Sequence, residues 1–307
     1  MDDSFQLIII GGGPAGLTAG MYAARSRLST LLVERGLPGG QIVNAELVEN
    51  YPGFPEGISG AELGSLMEQQ ARRYGLEIAM AEVEGVDVTG EQKTVRTGEG
   101  HYGATALIIA GGSEYSKLGV PGEDELRGRG VSYCATCDGA FFRDQTIAVI
   151  GGGNVALNDA IFLTRFASKV IVVHRRNELR ATKILQERAF NQPKIEFLWD
   201  TVLMSIEGDN QVKLLRLQNV KNGVKSNLEV SGVFIAVGLK PNTGYLGGVL
   251  ALSPEGFIVV NEQMETGVPG VFAAGDIRCG SPQQISSAVG DGAVAAINAE
   301  KYISSIL

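Results

Sequence analysis

The chain alternates short apolar runs with longer amphipathic stretches. Six runs rich in Ile and Val have the length of strands buried on both faces, and most of them end at a glycine. These runs are residues 7–10, 106–110, 147–150, 170–173, 233–237 and 271–274. Helical patterns lie between several of them, over residues 16–27, 61–74 and 155–166. This alternation predicts an α/β fold with mostly parallel, doubly wound sheets.

One segment near the start of the chain recurs in form near its middle. Residues 7–16 read LIIIGGGPAG, and residues 147–156 read IAVIGGGNVA. Each segment joins an apolar strand to a glycine turn and the opening of a helix, which is the arrangement that binds the pyrophosphate of a dinucleotide. The repetition predicts two dinucleotide-binding units in one chain.

Two stretches rich in turn residues, 111–122 and 240–244, indicate where these units are joined. A further strand and a further helix are predicted beyond the second stretch. We therefore expect a discontinuous first domain with a second domain inserted into it. The first domain is expected over residues 1–113 and 244–307, and the second over residues 114–243.

The glycine spacing in both turns fits the G-x-G-x-x-G pattern of dinucleotide sites. The first turn supplies Gly11, Gly13 and Gly16, and the second supplies Gly151, Gly153 and, in the third place, Ala156. In this pattern the first residue permits a tight turn, the second lets the backbone approach pyrophosphate, and the third lets helix and strand pack closely. The N-terminus of the helix then offers free N–H groups to the anion.

Residues about 20 positions after each turn distinguish the two nucleotides. The first unit has Glu34 there, an acceptor suited to ribose hydroxyl groups. The second unit has Arg175 and Arg176, with Arg180 close behind, and guanidinium groups pair well with a 2′-phosphate. The first site is therefore expected to take FAD or NAD, and the second NADP. The alternative for the three arginines is the solvated start of a helix.

A Gly-Asp pair near the C-terminal end of the sequence favours FAD in the first site. Asp276 follows the predicted strand 271–274 and could accept a hydrogen bond from a sugar-alcohol chain. The helix expected after Gly292 would direct its dipole at a flavin ring. The alternative role for Asp276 is a helix cap or a turn former.

A C-x-x-C motif lies just before the second glycine turn. Residues 132–139 read SYCATCDG and contain Cys134 and Cys137. A structural zinc usually needs a second ligand pair, for which the chain offers only Cys279, His101 and His174. A redox-active dithiol is therefore the preferred interpretation. Cys279 is interpreted as incidental.

Asp138 directly follows the second cysteine of the motif. A carboxyl group beside a dithiol can supply or take the proton that thiol–disulfide exchange moves. Asp-Gly is also a common turn pair, so a purely structural role is the alternative.

Composition narrows the classes of function. The 307 residues suit two domains of about 150 residues each. The 42 glycines are about twice ordinary usage, as phosphate-binding turns require. The net charge of −8 disfavours nucleic-acid binding. We expect no membrane span and no signal peptide, and therefore a cytoplasmic protein.

Taken together, these motifs resemble the low-molecular-weight, bacterial-type thioredoxin reductases. The resemblance covers nearly the whole chain, and its most specific block is CATCDG. The other matching blocks are residues 11–16 (GGGPAG), 39–42 (GGQI), 49–53 (ENYPG), 174–176 with 180–181 (HRR and RA) and 274–276 (AGD). It implies an α/β fold of two Rossmann-like, three-layer ββα domains, the second inserted into the first.

The resemblance also implies which residues meet each cofactor. FAD would be bound by the first domain, at Gly11, Gly13, Pro14, Ala15, Gly16, Glu34, Arg35, Gly39, Gly40, Gln41, Asn50, Val83, Ala110, Gly111, Gly275, Asp276, Gln284 and Ile285. NADPH would be bound by the inserted domain, at Gly151, Gly153, Asn154, Val155, Ala156, His174, Arg175, Arg176 and Arg180. No metal is implied.

By the same resemblance, NADPH would reduce the flavin, and the flavin would reduce the Cys134–Cys137 disulfide. Cys134 would then attack the disulfide of thioredoxin or a thioredoxin-like protein, and Asp138 would donate a proton. The family works as homodimers, and rotation of the inserted domain would let the dithiol and NADPH take turns at the flavin.

Three positions depart from the family pattern. Val155 replaces a hydroxyl-bearing residue, Asn158 replaces one of two adjacent acids, and Gln283 replaces an arginine. One alternative is therefore the same disulfide reduction with ferredoxin or another electron donor. Another is a flavin-binding redox sensor that does not turn over.

Overall fold

The structure is a computed structural model that describes residues 3–45 and 47–306. The chain forms two compact units. The first unit contains the residues up to Glu114 and those from Lys240 onward, and the second unit is Tyr115–Leu239. The chain passes between the units in two strands, Ser113–Tyr115 and Leu239–Pro241, which pair with each other.

The elements up to the first crossing are β1 (Asp3–Ile10), α1 (Pro14–Arg25), β2 (Thr30–Glu34), a 3-10 helix (Gly40–Asn44), α2 (Gly60–Arg73), β3 (Glu77–Met80), β4 (Val83–Asp87), β5 (Lys93–Thr97), β6 (Gly100–Ile109) and β7 (Ser113–Tyr115). Those up to the second crossing are β8 (Val131–Ser132), α3 (Ala135–Asp138), a 3-10 helix (Gly139–Phe142), β9 (Thr146–Ile150), α4 (Asn154–Leu163), β10 (Lys169–Val173), α5 (Lys183–Phe190), β11 (Ile195–Leu198), β12 (Thr201–Glu207), β13 (Leu214–Asn219), β14 (Lys225–Glu229), β15 (Gly232–Ile235) and β16 (Leu239–Pro241). The last elements are two 3-10 helices (Gly244–Leu246 and Gly275–Ile277), β17 (Val271–Ala273) and α6 (Ile285–Ile306).

The first unit is built on a sheet in the order β3-β2-β1-β6-β5-β4, with β17 also paired to β6. The strands β3, β2, β1, β6 and β17 are parallel, whereas β5 and β4 extend the sheet antiparallel from the first half of β6. Alternate residues of β1 pack on opposite faces. Leu7 and Ile9 join a core that includes residues of α1 and α6, and Ile8 and Ile10 join a core on the other face.

The second unit repeats this plan. Its parallel sheet has the order β11-β10-β9-β15-β8, and the antiparallel strands β12-β13-β14 form a separate sheet. Ile147 and Val149 pack with residues of α4, whereas Ala148 and Ile150 pack with residues of β12 and β13. Each unit therefore has a helical layer, a parallel sheet and an antiparallel layer, which confirms the predicted fold class.

All six apolar runs form strands, whereas each predicted helix differs from the observed one by at least one residue at its ends. Helix α4 ends at Leu163, three residues earlier than expected. The helix expected after Gly292 instead begins at Ile285, so that prediction is wrong. A Cβ atom on Gly292 would lie 2.2 Å from the carbonyl oxygen of Ala15, so this glycine allows α6 to cross α1 closely. Among the described residues, no helix is long and apolar enough to cross a membrane.

Candidate active site

The first glycine turn joins β1 to α1 through fixed backbone hydrogen bonds. Gly11 N–H donates to Val33 O at 2.9 Å, and Ala110 N–H donates to Ile10 O at 2.7 Å. A Cβ atom on Gly16 would lie 1.8 Å from Gly11 O, so only glycine lets the helix start this close to the turn. No side chain caps α1 at Gly13. The N–H groups of its first turn therefore stay available for an anion.

The second glycine turn has the same bonds at equivalent positions. Gly151 N–H donates to Val173 O at 3.1 Å, and Ala236 N–H donates to Ile150 O at 2.9 Å. Helix α4 also starts without a side-chain cap, at Gly153, where a Cβ atom would meet nothing within 4 Å. The repeat in the sequence therefore corresponds to a repeat in the backbone.

Glu34 lies at the end of β2 and turns its carboxylate toward the first glycine turn. The carboxylate accepts hydrogen bonds from Gly12 N–H at 2.5 Å and from Gly36 N–H at 2.8 Å. These two bonds hold the acid beside the turn, where an adenosine ribose lies in dinucleotide-binding folds.

His174 is buried, with 4% of its surface exposed, whereas the three arginines expected at the same site are exposed. Its Nε2 lies 3.1 Å from Glu178 O, and a Cβ atom on Gly152 would lie 2.4 Å from the ring. Burial lowers the pKa of His174. The imidazole therefore packs against the second turn at Gly152. The absence of a side chain on Gly152 leaves space for the ring, and sequence reasoning did not single out this glycine.

The three arginines expected at the 2′-phosphate are exposed. Within the described part of the chain, the side chains of Arg175, Arg176 and Arg180 form no hydrogen bond or ion pair. Arg180 N–H donates to Gly152 O at 2.8 Å, which holds this segment against the second turn. Three unpaired guanidinium groups beside one turn suit a phosphate ester.

The other residues expected at FAD lie in several segments of the first unit. Gly39 N–H donates to Gly12 O at 2.7 Å. Arg35 forms an ion pair with Glu114, and Gln41 donates to Ser113 O. Asn50 donates to Gln284 Oε1 at 3.2 Å. Val83, Ala110 and Ile285 pack in the apolar clusters of the same unit.

Asp276 lies in the 3-10 helix that follows β17. Burial raises the pKa of Asp276, and a hydrogen bond of 3.1 Å from the Ser281 hydroxyl opposes that rise. The preceding Gly275 donates its N–H to Asp291 at 3.0 Å, and Asp291 also pairs with Arg278 at 2.5 Å. This buried ion pair fixes the backbone that presents Asp276. No local sequence pattern predicts it, because the partners are 13 residues apart.

One buried hydroxyl in the first unit tests whether the residues fit a cofactor. Tyr245 Oη is buried and is the one such side-chain atom, within the described ranges, that finds no hydrogen-bond partner. It lies 3.3 Å from the position of a Cβ atom on Gly111, one residue after Ala110. A buried hydroxyl without a partner is costly, so this place suits a ligand with a polar atom. The residues therefore fit a group such as FAD.

The two cysteines of the C-x-x-C motif form a disulfide in the second unit, with their Cα atoms 5.3 Å apart. Cys134 precedes the short helix α3, and its Sγ accepts a hydrogen bond from Cys137 N–H at 3.2 Å. The hydroxyl of Thr136 lies 3.4 Å from the same sulfur. Cys279 is a free, exposed cysteine in the first unit.

Asp138 lies at the end of α3 and is half-buried. Burial raises the pKa of Asp138, and a hydrogen bond from Ser132 opposes that rise. Ser132 Oγ donates to Asp138 Oδ2 at 2.6 Å and accepts from Cys134 N–H at 3.1 Å. One hydroxyl thus links the carboxyl group to the backbone of the first cysteine. Sequence reasoning missed Ser132, although it lies inside the quoted motif.

Tyr133 anchors the strand that leads into the motif. Its hydroxyl donates to the buried Glu123 at 2.7 Å, and its ring stacks on Tyr115 with 5.2 Å between centroids. Burial, followed by the bond to Glu123, raises the pKa of Tyr133. Glu123 also accepts from Leu118 N–H at 3.0 Å, so the first cysteine follows a firmly held segment.

Residues 3–45 and 47–306 contain no group of three or more His, Cys, Asp or Glu side chains that could hold a metal ion.

Known proteins match the chain along almost its full length. A family model described as pyridine nucleotide-disulphide oxidoreductase matches residues 5–292. A thioredoxin reductase of Bacillus subtilis is 49% identical over 300 residues, covering 97% of this chain and 95% of that protein. A thioredoxin reductase of Streptomyces coelicolor is 48% identical over 309 residues, covering 100% of this chain and 96% of that protein. The solved thioredoxin reductase of Streptococcus pyogenes is 46% identical with a TM-score of 0.95, covering 99% of this chain and 100% of that one.

These matches confirm the resemblance that the motifs predicted. They also confirm the prediction that this protein is an oxidoreductase that uses FAD and NADPH. Because the family model spans most of the sequence and similar relatives cover it almost completely, the chain belongs to the pyridine nucleotide-disulphide oxidoreductase family.

Proposed function

We propose that the protein is an NADPH-dependent thioredoxin reductase. It transfers electrons from NADPH through FAD and the Cys134–Cys137 pair to the disulfide of thioredoxin or a thioredoxin-like protein. The observation that carries the proposal is the disulfide itself, with the half-buried Asp138 linked through Ser132 to the backbone of its first cysteine, in a unit that also holds a dinucleotide turn.

The first unit holds FAD. The open N-terminus of α1 binds the pyrophosphate, Glu34 accepts from the adenosine ribose, and Asp276 accepts from the ribityl chain. The remaining contacts come from the segments around Gly40, Asn50 and Gly111. When bound, FAD relays electrons from NADPH to the disulfide.

The second unit holds NADPH. The N-terminus of α4 binds its pyrophosphate, and the exposed guanidinium groups of Arg175, Arg176 and Arg180 select the 2′-phosphate. His174 supports the turn rather than touching the phosphate, because its ring is buried beneath Gly152.

The reduced cysteine pair transfers its electrons by thiol–disulfide exchange. The Cys134 thiolate attacks one sulfur of the partner disulfide, a new S–S bond forms, and the other partner sulfur leaves as a thiolate. The Cys137 thiolate then attacks Cys134 Sγ, which restores the internal disulfide and releases the second partner thiolate. The cysteine pair is oxidised by two electrons and the partner is reduced by two. Asp138 can supply a proton that these thiolates require.

Phe141 supports a protein rather than a small molecule as the substrate. Its side chain lies four residues after Cys137 and is 50% exposed. An exposed aromatic ring four residues along the chain from a reactive disulfide suits the apolar surface around a partner's own disulfide. The homodimer and the cytoplasmic location implied by the resemblance belong to the same proposal, and sedimentation of the holoenzyme and cell fractionation test them.

One observation favours a second candidate with another electron donor. Val155, in the first turn of α4, is 65% exposed and offers no hydroxyl group to a pyrophosphate. The same disulfide reduction driven by ferredoxin would not need that contact.

An anaerobic titration of the purified protein tests the proposal and its alternative. NADPH should bleach the flavin, and the reduced protein should then reduce thioredoxin. Bleaching by ferredoxin and not by NADPH would support the second candidate. The Cys134→Ser variant should keep the bleaching by NADPH and lose thioredoxin reduction, whereas unchanged turnover would contradict the role of the cysteine pair.

A further inference from the structure

Two hydrogen-bond donors converge on one sulfur of the disulfide. Cys137 N–H donates to Cys134 Sγ at 3.2 Å, and the Thr136 hydroxyl lies 3.4 Å from that atom. The first donor is part of the backbone and is present whatever side chains the motif carries. The second donor depends on the side chain at position 136, so a substitution there can remove it.

The strength of these hydrogen bonds depends on the oxidation state of the cysteine pair. A disulfide sulfur is a weak acceptor, whereas a thiolate carries a full charge and accepts strongly. The hydroxyl hydrogen of a threonine can rotate toward such a charge. Reduction of the pair therefore turns a weak contact into a charge-assisted hydrogen bond, and a donor to the thiolate lowers the pKa of its thiol.

We propose that Thr136 is a catalytic residue whose hydroxyl donates to the Cys134 thiolate and so makes Cys134 the attacking sulfur. The inference rests on the proposed function, because it explains why one cysteine of the pair serves as the nucleophile. The hydroxyl acts after electrons have reached the pair and before the partner disulfide is attacked.

The hydroxyl also has a role when the reaction is completed. Once Cys134 is joined to the partner, its sulfur is neutral and the hydrogen bond weakens. When Cys137 attacks Cys134 Sγ, the charge leaves on the partner's second sulfur and the internal disulfide returns. Thr136 therefore favours the thiolate at one stage only, and it neither gains nor loses a proton.

Thr136 is exposed, so the hydroxyl can be removed without disturbing the core. Thr136→Val keeps the shape of the side chain and removes the hydroxyl. Thr136→Ser keeps the hydroxyl and removes the methyl group. The pair of variants therefore separates hydrogen bonding from packing.

The test uses the holoenzyme with Cys137→Ser, in which Cys134 stays a free thiol. Its alkylation by iodoacetamide is followed as a function of pH, and peptide mapping reports each cysteine separately. Thr136→Val should raise the apparent pKa of Cys134 by about 0.5 to 1 unit, which corresponds to about a threefold to tenfold smaller thiolate fraction at neutral pH. Thr136→Ser should leave it unchanged. The exposed Cys279 is an internal control and should alkylate equally in all variants.

An unchanged pKa in Thr136→Val would overturn the inference, and so would an equal shift in both variants, because the hydroxyl would then not be responsible. The alkylation assay contains neither NADPH nor thioredoxin. It therefore keeps a failure of this inference apart from a failure of the proposed function, which turnover of the unmodified protein reports.

Discussion

Glu34 and His174 occupy equivalent positions in the two units, but they meet their glycine turns in opposite ways. Each directly follows the residue whose carbonyl oxygen accepts from the first glycine, Val33 or Val173. Glu34 accepts a hydrogen bond from Gly12 N–H, whereas the ring of His174 fills the space under Gly152. Under the proposed function, the first unit offers a ribose acceptor at this position, and in the second unit the arginines that follow recognise the nucleotide.

The arginines should govern the choice between NADPH and NADH. The variant Arg175→Ala/Arg176→Ala should raise the KM for NADPH by about tenfold to a hundredfold, because charge-assisted bonds to the 2′-phosphate are lost. The KM for NADH should change little. Steady-state kinetics with both nucleotides measure this. Arg165→Ala removes a guanidinium that stacks on Phe162 and is the matched control. Equal losses with both nucleotides would contradict a 2′-phosphate site.

Adjacent glycines in the second turn should respond differently to one methyl group. Gly152→Ala places a Cβ atom against His174 and should lower the free energy of unfolding by about 1–3 kcal/mol. Gly153→Ala meets open space and should fold normally, yet weaken NADPH binding by obstructing the pyrophosphate. Denaturation and nucleotide titration separate the two effects. Full NADPH affinity in the Gly153 variant would argue against pyrophosphate at this turn.

The hydrogen bond between Ser132 and Asp138 should set the pH dependence of turnover. The bond stabilises the carboxylate and opposes the rise in the pKa of Asp138. Ser132→Ala should therefore raise the pKa of Asp138 and keep its carboxyl group protonated to higher pH. The corresponding limb of the pH–rate profile should move to higher pH.

Asp138→Asn should lower turnover by about a hundredfold and remove that limb. In this background Ser132→Ala should have no further effect on the profile. A shift that persists in the double variant would show that Ser132 acts on another group.

Asp159 should make the folded protein less stable as the pH rises. Burial raises its pKa to about 6, from 3.8, so the folded state holds a proton that the unfolded state releases. Stability from this group is present at low pH and is lost as the pH rises from about 4 through 6. Asp159→Asn should raise the free energy of unfolding by about 1–3 kcal/mol at pH 8 and by almost nothing at pH 4.

Urea denaturation at the two pH values measures the effect of Asp159. The neighbouring Asn158 is exposed, and Asn158→Asp should show no such dependence on pH. Equal changes at both pH values would mean that ionisation of Asp159 is not the cause.

The ion pair of Arg278 and Asp291 should stabilise the first unit and its FAD site together. The side chains are 15% and 8% exposed, so removing one partner leaves a buried charge. Asp291→Ala should lower the free energy of unfolding by about 3–5 kcal/mol, and it should weaken FAD binding because Gly275 loses its acceptor. The variant Arg278→Met/Asp291→Leu should lose less stability. Titration of the apoprotein with FAD and denaturation measure both effects.

The sequence predicted the parts that depend on local pattern. The six buried strands follow from continuous apolar runs, and the two turns follow from glycine spacing. The strands β12, β13 and β14 were not predicted. The five residues of β14 illustrate the reason, because four are exposed and the periodicity of a buried strand is missing.

The candidate site was predicted only where neighbouring residues carry the chemistry. The pairs Arg278–Asp291 and Tyr133–Glu123 join residues ten or more positions apart, and no pattern links them. The start of the last helix was misplaced at Gly292 because that glycine serves contact with Ala15 rather than a turn. Position 292 requires glycine because α1, the helix that contains Ala15, passes close to it in the fold although it is distant in sequence.

The discontinuity of the first unit has a consequence for biosynthesis. Helix α1 packs against α6, yet residues 115–239 are translated between them and form a unit of their own. On the ribosome the inserted unit can finish folding before α6 has been synthesised. Until then the first unit is incomplete, and the apolar face of α1 is uncovered. The inserted unit is therefore expected to fold before the first unit, although its synthesis begins later. Nascent chains of this protein should bind chaperones through their first hundred residues rather than through their second hundred.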